Sequence, residues 1–257
     1  MPQRDALADN FLRTAGWGAA TRRVLAGDAS NRRYDRLTDP ATGASAVLMD
    51  APTDKGEDVR PFLRIARHLT GLGLSAPRIL AEDIANGFLL LEDLGDDLFA
   101  RVTAQTPELE QQLYATATDL LADLHQHPAP QDLPAYDPPL MASLSALVYD
   151  WYLPGAGLTP TPEEKQAFQA EIETVLTNLA PDTPVLIQRD YHAENLLWLP
   201  DRDGVARVGL LDFQDGMAGH PAYDLVSLLE DARRDVPPEV QRSMLARYIA
   251  RANQPDA

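Results

Sequence analysis

Apolar residues recur along most of the chain at one of two spacings, and segments rich in proline, glycine and polar residues separate these patterns. Apolar positions three and four residues apart predict amphipathic helices. These helices are predicted over 5–15, 54–72, 108–125, 163–179, 223–232 and 238–252. Short apolar runs bounded by turn residues predict strands. Those runs are 46–49, 78–81 and 87–91, and two further strands are predicted on either side of the polar loop 27–33.

The most informative pattern lies in the last third of the chain. Two apolar runs, 196–199 and 205–211, flank a polar segment that ends in an Asp-Gly pair. Such a pair between apolar runs predicts a β-hairpin. The loop before the first run carries Asp190 and Asn195, and the second run ends at Asp212. The hairpin therefore brings Asp212 back beside Asp190 and Asn195.

These three side chains suit phosphoryl transfer from ATP. One carboxylate must orient the attacking hydroxyl and accept its proton, and an amide and a second carboxylate must hold Mg²⁺. Asp190 suits the first role, and Asn195 and Asp212 suit the second. Each residue alone is more often a helix cap or a turn residue. Their spacing around an apolar hairpin is what points to a kinase.

The catalytic segment also carries a family resemblance. The sequence QRDYHAEN at 188–195, followed by LLDFQD at 210–215, resembles the catalytic segment of the aminoglycoside phosphotransferase family, a small-molecule branch of the protein-kinase-like fold. The GHPAYDL run at 219–225 matches a further motif of that family. Together with GDASNRRY, VLMDAP and LLLEDLGD, these motifs are most similar to the anomeric kinases of N-acetylmuramate and N-acetylglucosamine.

This resemblance implies an α+β fold with two lobes. We expect residues 1–95 to form a nucleotide-binding lobe with a small antiparallel sheet and the hinge. We expect residues 96–257 to form a mostly helical lobe with the catalytic loop and the acceptor site. Family members usually continue with further helices, so we also expect the chain to be truncated at its C-terminus.

The resemblance implies ATP and Mg²⁺ as cofactors and names the residues that would bind the nucleotide. The loop 27–33 would cover the phosphates, and main-chain groups of the hinge would hold the adenine. The residues concerned are Gly27, Ser30, Asn31, Arg32, Arg33, Glu92, Asp93 and Leu94.

Two positions depart from the family pattern. Met49 stands where kinases carry a strand lysine, and Gln188 stands where the family usually has histidine. A cation is still needed to meet the phosphate charge, and Arg32 or Arg33 is expected to supply it. Met49 would then contribute apolar packing near the nucleotide. Glu57 either pairs with one of these arginines or is a helix first-turn charge that the helix dipole favours.

The acceptor side is less well defined by the sequence. His192 lies between Asp190 and Asn195 in the proposed loop and is expected to point toward the acceptor, and Asp215 follows Asp212 by three residues, so both are candidate substrate contacts. Trp151 and Tyr152 lie beside a carboxylate, which suits a sugar, because a ring packs on the C–H face and the acid binds hydroxyls. They equally suit the core face of a helix. Asp224 is expected to hydrogen-bond the backbone of the catalytic loop.

Composition narrows the possible partners and the location. The chain has 22 lysine and arginine residues against 39 aspartate and glutamate residues, a formal net charge of -17, and this acidity argues against nucleic acid and anionic membranes as partners. It suits either a cationic acceptor or simply a solubilising surface. The absence of cysteine excludes disulfides. Without an apolar leader or a run long enough to cross a bilayer, we expect a cytoplasmic protein.

The resemblance therefore implies a sugar kinase that phosphorylates the anomeric hydroxyl of N-acetylmuramate or N-acetylglucosamine and forms a sugar 1-phosphate in cell-wall recycling. Two alternatives remain open at this stage. The acceptor could be another small molecule, such as an aminoglycoside, choline, homoserine or a thiosugar. Alternatively, the chain could be a nucleotide-binding regulatory protein without turnover, which the missing strand lysine and Gln188 favour.

Overall fold

The structure is a computed structural model that describes residues 2–27, 31–179 and 183–252. The predicted phosphate-loop residue Ser30 lies outside the described residues. The described residues form one five-stranded sheet, two small two-stranded sheets and a helical part. This arrangement confirms the predicted α+β class. No helix in these ranges is both long and apolar enough to span a membrane.

The five-stranded sheet is antiparallel throughout, with the strand order β1-β2-β3-β5-β4. Its strands are β1 Thr21–Gly27, β2 Arg33–Thr38, β3 Ser45–Asp50, β4 Ile79–Asp83 and β5 Phe88–Glu92. The turn between β4 and β5 requires glycine at position 87. Gly87 has φ +70, and a Cβ there would lie 1.9 Å from the carbonyl oxygen of Ala51.

Alternation of side chains along the strands gives the sheet two apolar faces. On one face, Leu48 and Leu90 pack against the N-terminal helix α1, Pro2–Thr14, whose Phe11 stacks on Phe88 with ring centroids 5.7 Å apart. On the other face, Met49, Leu89 and Leu91 join the main core together with helix α2, Arg60–Gly71. The sheet is thus held between two helices.

Helix α2 begins later than the predicted residue 54. A 3-10 turn, Thr53–Lys55, comes first and ends at Gly56, whose φ of 85 lies in the left-handed region. A proline then occupies the first turn of α2, where its missing N–H costs nothing. Glu57 therefore lies in the loop 56–59, before helix α2, and not in the helix.

The helical part follows the segment 93–98. Its helices are α3 Phe99–Gln105, α4 Glu110–Leu124, α5 Pro138–Ser145, α6 Leu153–Gly155, α7 Pro162–Asn178, α8 Ala222–Leu229 and α9 Pro238–Ala252. Helix α4 is the central one, with both aliphatic and polar side chains fully buried. Helix α3 has no counterpart among the predicted helices. A π-helical turn, Val148–Tyr152, interrupts the chain between α5 and α6.

Two small sheets support the loop that carries Asp190 and Asn195. Strand β6, Val185–Ile187, pairs with β9, Met217–Gly219, and β7, Leu196–Trp198, pairs with β8, Val208–Leu210. The β7–β8 pairing confirms the predicted hairpin. Its connection is longer than the Asp-Gly pattern implied, because a 3-10 turn over Gly204–Arg207 precedes β8.

Candidate active site

A cleft of about 460 Å³ lies between the five-stranded sheet and the helical part. This volume falls within the usual range for small-molecule sites. The sheet contributes apolar and aromatic side chains, the segment 92–98 forms one end, and the loop around the β7–β8 hairpin forms the floor. The main lining residues are Leu25, Tyr34, Arg36, Val47, Leu91, Glu92, Asp93, Leu94, Asn195, Leu197, Leu211 and Asp212.

The floor of the cleft carries Asn195 and Asp212, and Asp190, the third residue singled out in the sequence, adjoins them without being among the described lining residues. The side-chain amide of Asn195 donates to the backbone oxygen of Asp190 over 3.0 Å and lies 3.4 Å from Oδ2 of Asp212. The β7–β8 pairing is extended by a hydrogen bond of 3.0 Å from the N–H of Leu211 to the carbonyl of Asn195. Asn195 and Asp212 thus meet at the cleft, and Asp190 is joined to them through its backbone.

Asp212 is held in a strained and oriented position. Its φ of 57 lies in the left-handed region, which side-chain-bearing residues adopt rarely. Oδ1 accepts a hydrogen bond of 2.6 Å from the amide of Gln214, while Oδ2 faces Asn195. Gln214 was not predicted as a site residue, although its place two residues after Asp212 was the available signal.

A buried carboxyl group holds the backbone of the two residues before Asp190. Asp224 is fully buried, and its two oxygens accept the backbone N–H groups of Gln188, over 2.6 Å, and Arg189, over 3.0 Å. The predicted role of Asp224 is thereby confirmed. Burial raises its pKa to about 7, although the two N–H groups oppose that rise. The hydroxyl of Tyr191 fixes the same loop to α4 by donating to the carbonyl of Ala117 over 2.9 Å.

His192 lies inside the loop and not on an open acceptor side. It is 3% exposed, and its Nε2 is 3.2 Å from the side-chain nitrogen of Asn195. Because an amide nitrogen only donates, Nε2 must accept and the ring proton is assigned to Nδ1. Burial lowers the pKa of His192, and Arg233 adds to that effect. The ring therefore orients the Asn195 amide.

Of the two candidate arginines, Arg32 shares the alternation of Tyr34 and Arg36, which line the cleft, although Arg32 is not among the described lining residues. Its Nε donates to Glu57 Oε2 over 2.9 Å, and the N–H of Asn31 donates to Glu57 Oε1 over 3.0 Å. Both charged side chains are largely buried, with 14% and 11% exposure. Burial acts against the charge of Arg32, but Tyr34, Glu57 and Asp215 raise its pKa. Glu57 is thus an ion-pair partner and not a helix first-turn charge.

Arg33 belongs to the opposite face of the sheet. Its guanidinium contacts Asp35 Oδ2 over 2.8 Å, and the same oxygen contacts Arg22 over 2.9 Å. Consecutive residues of an extended chain point to opposite sides, which separates Arg33 from Arg32. Met49 is 1% exposed within the core and is not one of the described residues that line the cleft. Val47, on the same strand, lines it instead.

The hinge side chains are engaged by arginines. The guanidinium of Arg36 contacts Asp93 and Asp96, each at 2.7 Å, and Glu92 accepts a hydrogen bond of 2.9 Å from Arg202. Because arginines already pair with these carboxylates, only main-chain groups of the predicted hinge are left for the expected contact with adenine. Arg36 was not predicted as a lining residue, and its alternation with Tyr34 along β2 was the only signal for it.

The aromatic pair proposed for sugar stacking lies elsewhere. Trp151 and Tyr152 are 77% and 71% exposed on the π-helical turn, and neither is among the described residues that line the cleft. The neighbouring Asp150 forms an ion pair with Lys165 of α7. Asp215 is exposed, and its carboxylate acts on Arg32 through charge.

Comparisons with known proteins give one consistent family. Residues 21–256 match the model of a family described as the phosphotransferase enzyme family. An N-acetylmuramate/N-acetylglucosamine kinase of Caulobacter vibrioides is 36% identical, with 96% of this chain and 77% of that protein covered. A protein of the same name from Pseudomonas aeruginosa is also 36% identical, with 96% of this chain and 72% of that protein covered.

Solved structures with a similar fold are more distant in sequence. The ADP-bound aminoglycoside phosphotransferase APH(2'')-Ib superposes with a TM-score of 0.67 at 16% identity, covering 98% of this chain and 86% of that one. A choline kinase from Cryptosporidium parvum superposes with a TM-score of 0.66 at 10% identity, covering 98% and 82%. At these identities the likeness concerns the fold alone.

Proposed function

Because the chain belongs to the phosphotransferase enzyme family, we propose that it is a kinase that transfers the γ-phosphate of ATP to the anomeric hydroxyl of N-acetylmuramate or N-acetylglucosamine. The observation that carries this proposal is the meeting of Asn195 and Asp212 at the floor of the cleft, with Asp190 bonded to Asn195 through its backbone. The names of the 36% identical relatives support the amino-sugar acceptor. The product would be a sugar 1-phosphate, which suits a step of cell-wall recycling.

The donor set at the floor fits Mg²⁺. Mg²⁺ favours oxygen ligands and is usually held by one or two carboxylates together with substrate phosphates and water. Asp212 supplies a carboxylate, and the described contacts of the Asn195 side-chain amide all use its nitrogen, so its oxygen is left to bind a cation. When bound, Mg²⁺ would neutralise charge on the transferring phosphate.

Asp190 is assigned the role of the base. It orients the acceptor hydroxyl and takes its proton as the new bond to phosphorus forms. The hydrogen bond from Asn195 to its backbone and the hydrogen bonds of Asp224 to the two preceding residues fix its position. With little covalent chemistry left to the protein, this positioning supplies much of the rate.

The nucleotide is assigned to the cleft between the lobes, with residues 1–95 as the nucleotide-binding lobe and 96–257 as the catalytic lobe. Main-chain groups at Glu92, Asp93 and Leu94 would hold the adenine, and Gly27 and Asn31 would flank the phosphates. Arg32 would take the role that a strand lysine has in other kinases. Its ion pair with Glu57 fixes the guanidinium, and alternation along the strand gives Arg32 the same face as Tyr34 and Arg36 of the cleft.

Arg32→Met is expected to lower kcat/KM for ATP by about 10- to 100-fold, because a charge-assisted contact is lost. Arg33→Met is the matched control, since it removes the same charge from the neighbouring residue on the other face, and we expect a change within about twofold. Arg32→Lys should restore part of the activity. Steady-state kinetics with varied ATP measure all three variants. Equal losses at positions 32 and 33 would remove the assignment.

An acceptor panel tests the proposed function directly. ATP consumption with Mg²⁺ is measured against N-acetylmuramate, N-acetylglucosamine, glucose, kanamycin and choline, and the product is identified by phosphorus NMR. We expect turnover of the amino sugars to an anomeric phosphate. Turnover of kanamycin or choline alone would keep the kinase and replace the acceptor. Nucleotide binding without any turnover would support a regulatory protein instead.

A further inference from the structure

Arg189, the residue before Asp190, has a backbone conformation that disfavours a side chain. Its φ is +72. In the described ranges, the other residues besides glycine with positive φ are Asp132 and Asp212. Glycine is the usual residue in this region of φ, and strained exceptions cluster at functional sites. The strained backbone at Arg189 therefore points to a function for its side chain.

The guanidinium of Arg189 has no ionic partner within the part of the chain that the structure describes. No Asp or Glu oxygen there lies within 4.0 Å of its nitrogens, and its Nε is buried without a hydrogen-bond partner. Among the other half-buried arginines of the described ranges, Arg32 binds Glu57 and Arg234 binds Glu110 over 2.6 Å, whereas Arg64 and Arg207 reach only backbone oxygens. A partly buried cation of this kind is suited to an anion from outside the chain.

Two tyrosines fix the position of this cation. The Arg189 guanidinium carbon lies 5.5 Å from the ring centroid of Tyr136, whose ring meets that of Tyr223 edge-on with centroids 4.9 Å apart. Tyr136 is itself anchored by a backbone hydrogen bond of 2.8 Å to Ala218 of β9. We call Tyr136, Arg189 and Tyr223 the tyrosine–arginine cluster. None of the three is among the described residues that line the cleft.

The cluster is rigidly coupled to the proposed base. The carboxyl group of Asp224 accepts a hydrogen bond from the backbone N–H of Arg189. The side chains of residues 189 and 190 are therefore attached to a main chain whose position is fixed. Because residues 189 and 190 are consecutive, an acceptor whose reacting hydroxyl meets Asp190 has its other substituents within reach of a long side chain at position 189. A cation that no carboxylate of the described residues neutralises suits the acid group of an acidic sugar.

We propose that Arg189 binds the carboxylate of N-acetylmuramate and so favours this acceptor over N-acetylglucosamine, which lacks an acid group. This inference rests on the proposed function. The carboxylate of N-acetylmuramate is not attached to the carbon whose hydroxyl reacts. The cation that binds this carboxylate must therefore lie close to the catalytic base without contacting the reacting hydroxyl. Position 189 meets that condition, and a guanidinium fork matches a carboxylate with two parallel hydrogen bonds.

The test compares two acceptors in one variant. Arg189→Met is expected to lower kcat/KM for N-acetylmuramate by about 10- to 100-fold and to change that for N-acetylglucosamine by less than about twofold. Arg189→Gly, which suits the backbone conformation, should show the same selective loss. Arg189→Lys should restore part of the preference. Arg242→Met is the charge-matched control, because Arg242 is exposed on α9.

The ratio of the two kcat/KM values separates the possible outcomes. An unchanged ratio, or equal losses for both sugars, would overturn the inference while leaving the kinase intact. A wild-type protein that phosphorylates N-acetylglucosamine alone would do the same. A wild-type protein that phosphorylates neither sugar would overturn the proposed function together with the inference. A selective loss that lysine partly restores would support the carboxylate contact.

Discussion

Asp190→Asn is expected to lower kcat by about 10²- to 10⁴-fold, the range over which general acid–base groups contribute. Asparagine keeps the shape of the side chain and its ability to hydrogen-bond a hydroxyl, but it cannot accept the proton. Binding of ATP should be unaffected, because Asp190 is not among the described residues that line the cleft. The two readouts are ADP release under saturating substrates and the dissociation constant of ATP.

The matched control for this variant is Asp201→Asn. Asp201 is exposed in the turn between β7 and β8, so it loses the same charge without touching the floor of the cleft. We expect its kcat to stay within about twofold of the wild-type value. If Asp190→Asn retained most of its kcat, the base would have to be another group.

The wild-type protein is expected to lose stability as the pH rises from about 4 to about 7, through the buried carboxyl of Asp224. Its pKa is about 7 in the folded chain against an ordinary value of 3.8. Between these values the folded state keeps the proton while the unfolded state releases it, so rising pH favours unfolding. The total change is on the order of 4 kcal/mol and levels off above the folded pKa.

Asp224→Asn isolates this contribution, because it removes the titrating group and leaves the other carboxyls in place. Urea unfolding of both proteins at several pH values gives the difference in their free energies of unfolding. That difference should fall with pH between about 4 and about 7. Asparagine also places an N–H donor opposite a backbone N–H, which costs about 1–3 kcal/mol at every pH. Parallel curves over the whole range would contradict the raised pKa.

The floor of the cleft could be predicted because its geometry is local in sequence. Asp190, Asn195 and Asp212 are separated by one hairpin, and strand pairing alone decides that they meet. The buried clamp by Asp224 followed from a motif of the resemblance and is confirmed by two hydrogen bonds. Motifs within a short stretch of sequence were therefore sufficient to predict this part of the candidate site.

The choice between Arg32 and Arg33 depended on which face of β2 is turned to which helix. Leu37 is fully buried against the α1 side, and Arg33 shares its parity along the strand. The sequence shows that Arg32 and Arg33 point to opposite faces of the sheet, but it does not show which face is turned to the nucleotide cleft. Strand alternation assigns residues to faces and leaves the identity of each face to tertiary packing.

The aromatic pair shows the limit of composition as a signal. Trp151 and Tyr152 next to a carboxylate have the chemistry of a sugar site, yet the π-helical turn leaves both exposed. Their position follows from how α5 and α7 pack on each other, which involves residues far apart in sequence. No local pattern encodes that contact.

The backbone conformation of Arg189 has an evolutionary consequence. Glycine would relieve the strain at φ +72, so selection for stability and selection for an acidic acceptor act in opposite directions at one codon. A lineage that no longer meets the acidic sugar would drift towards glycine there. The identity of residue 189 across descendants of this gene would then record which sugars their ancestors consumed.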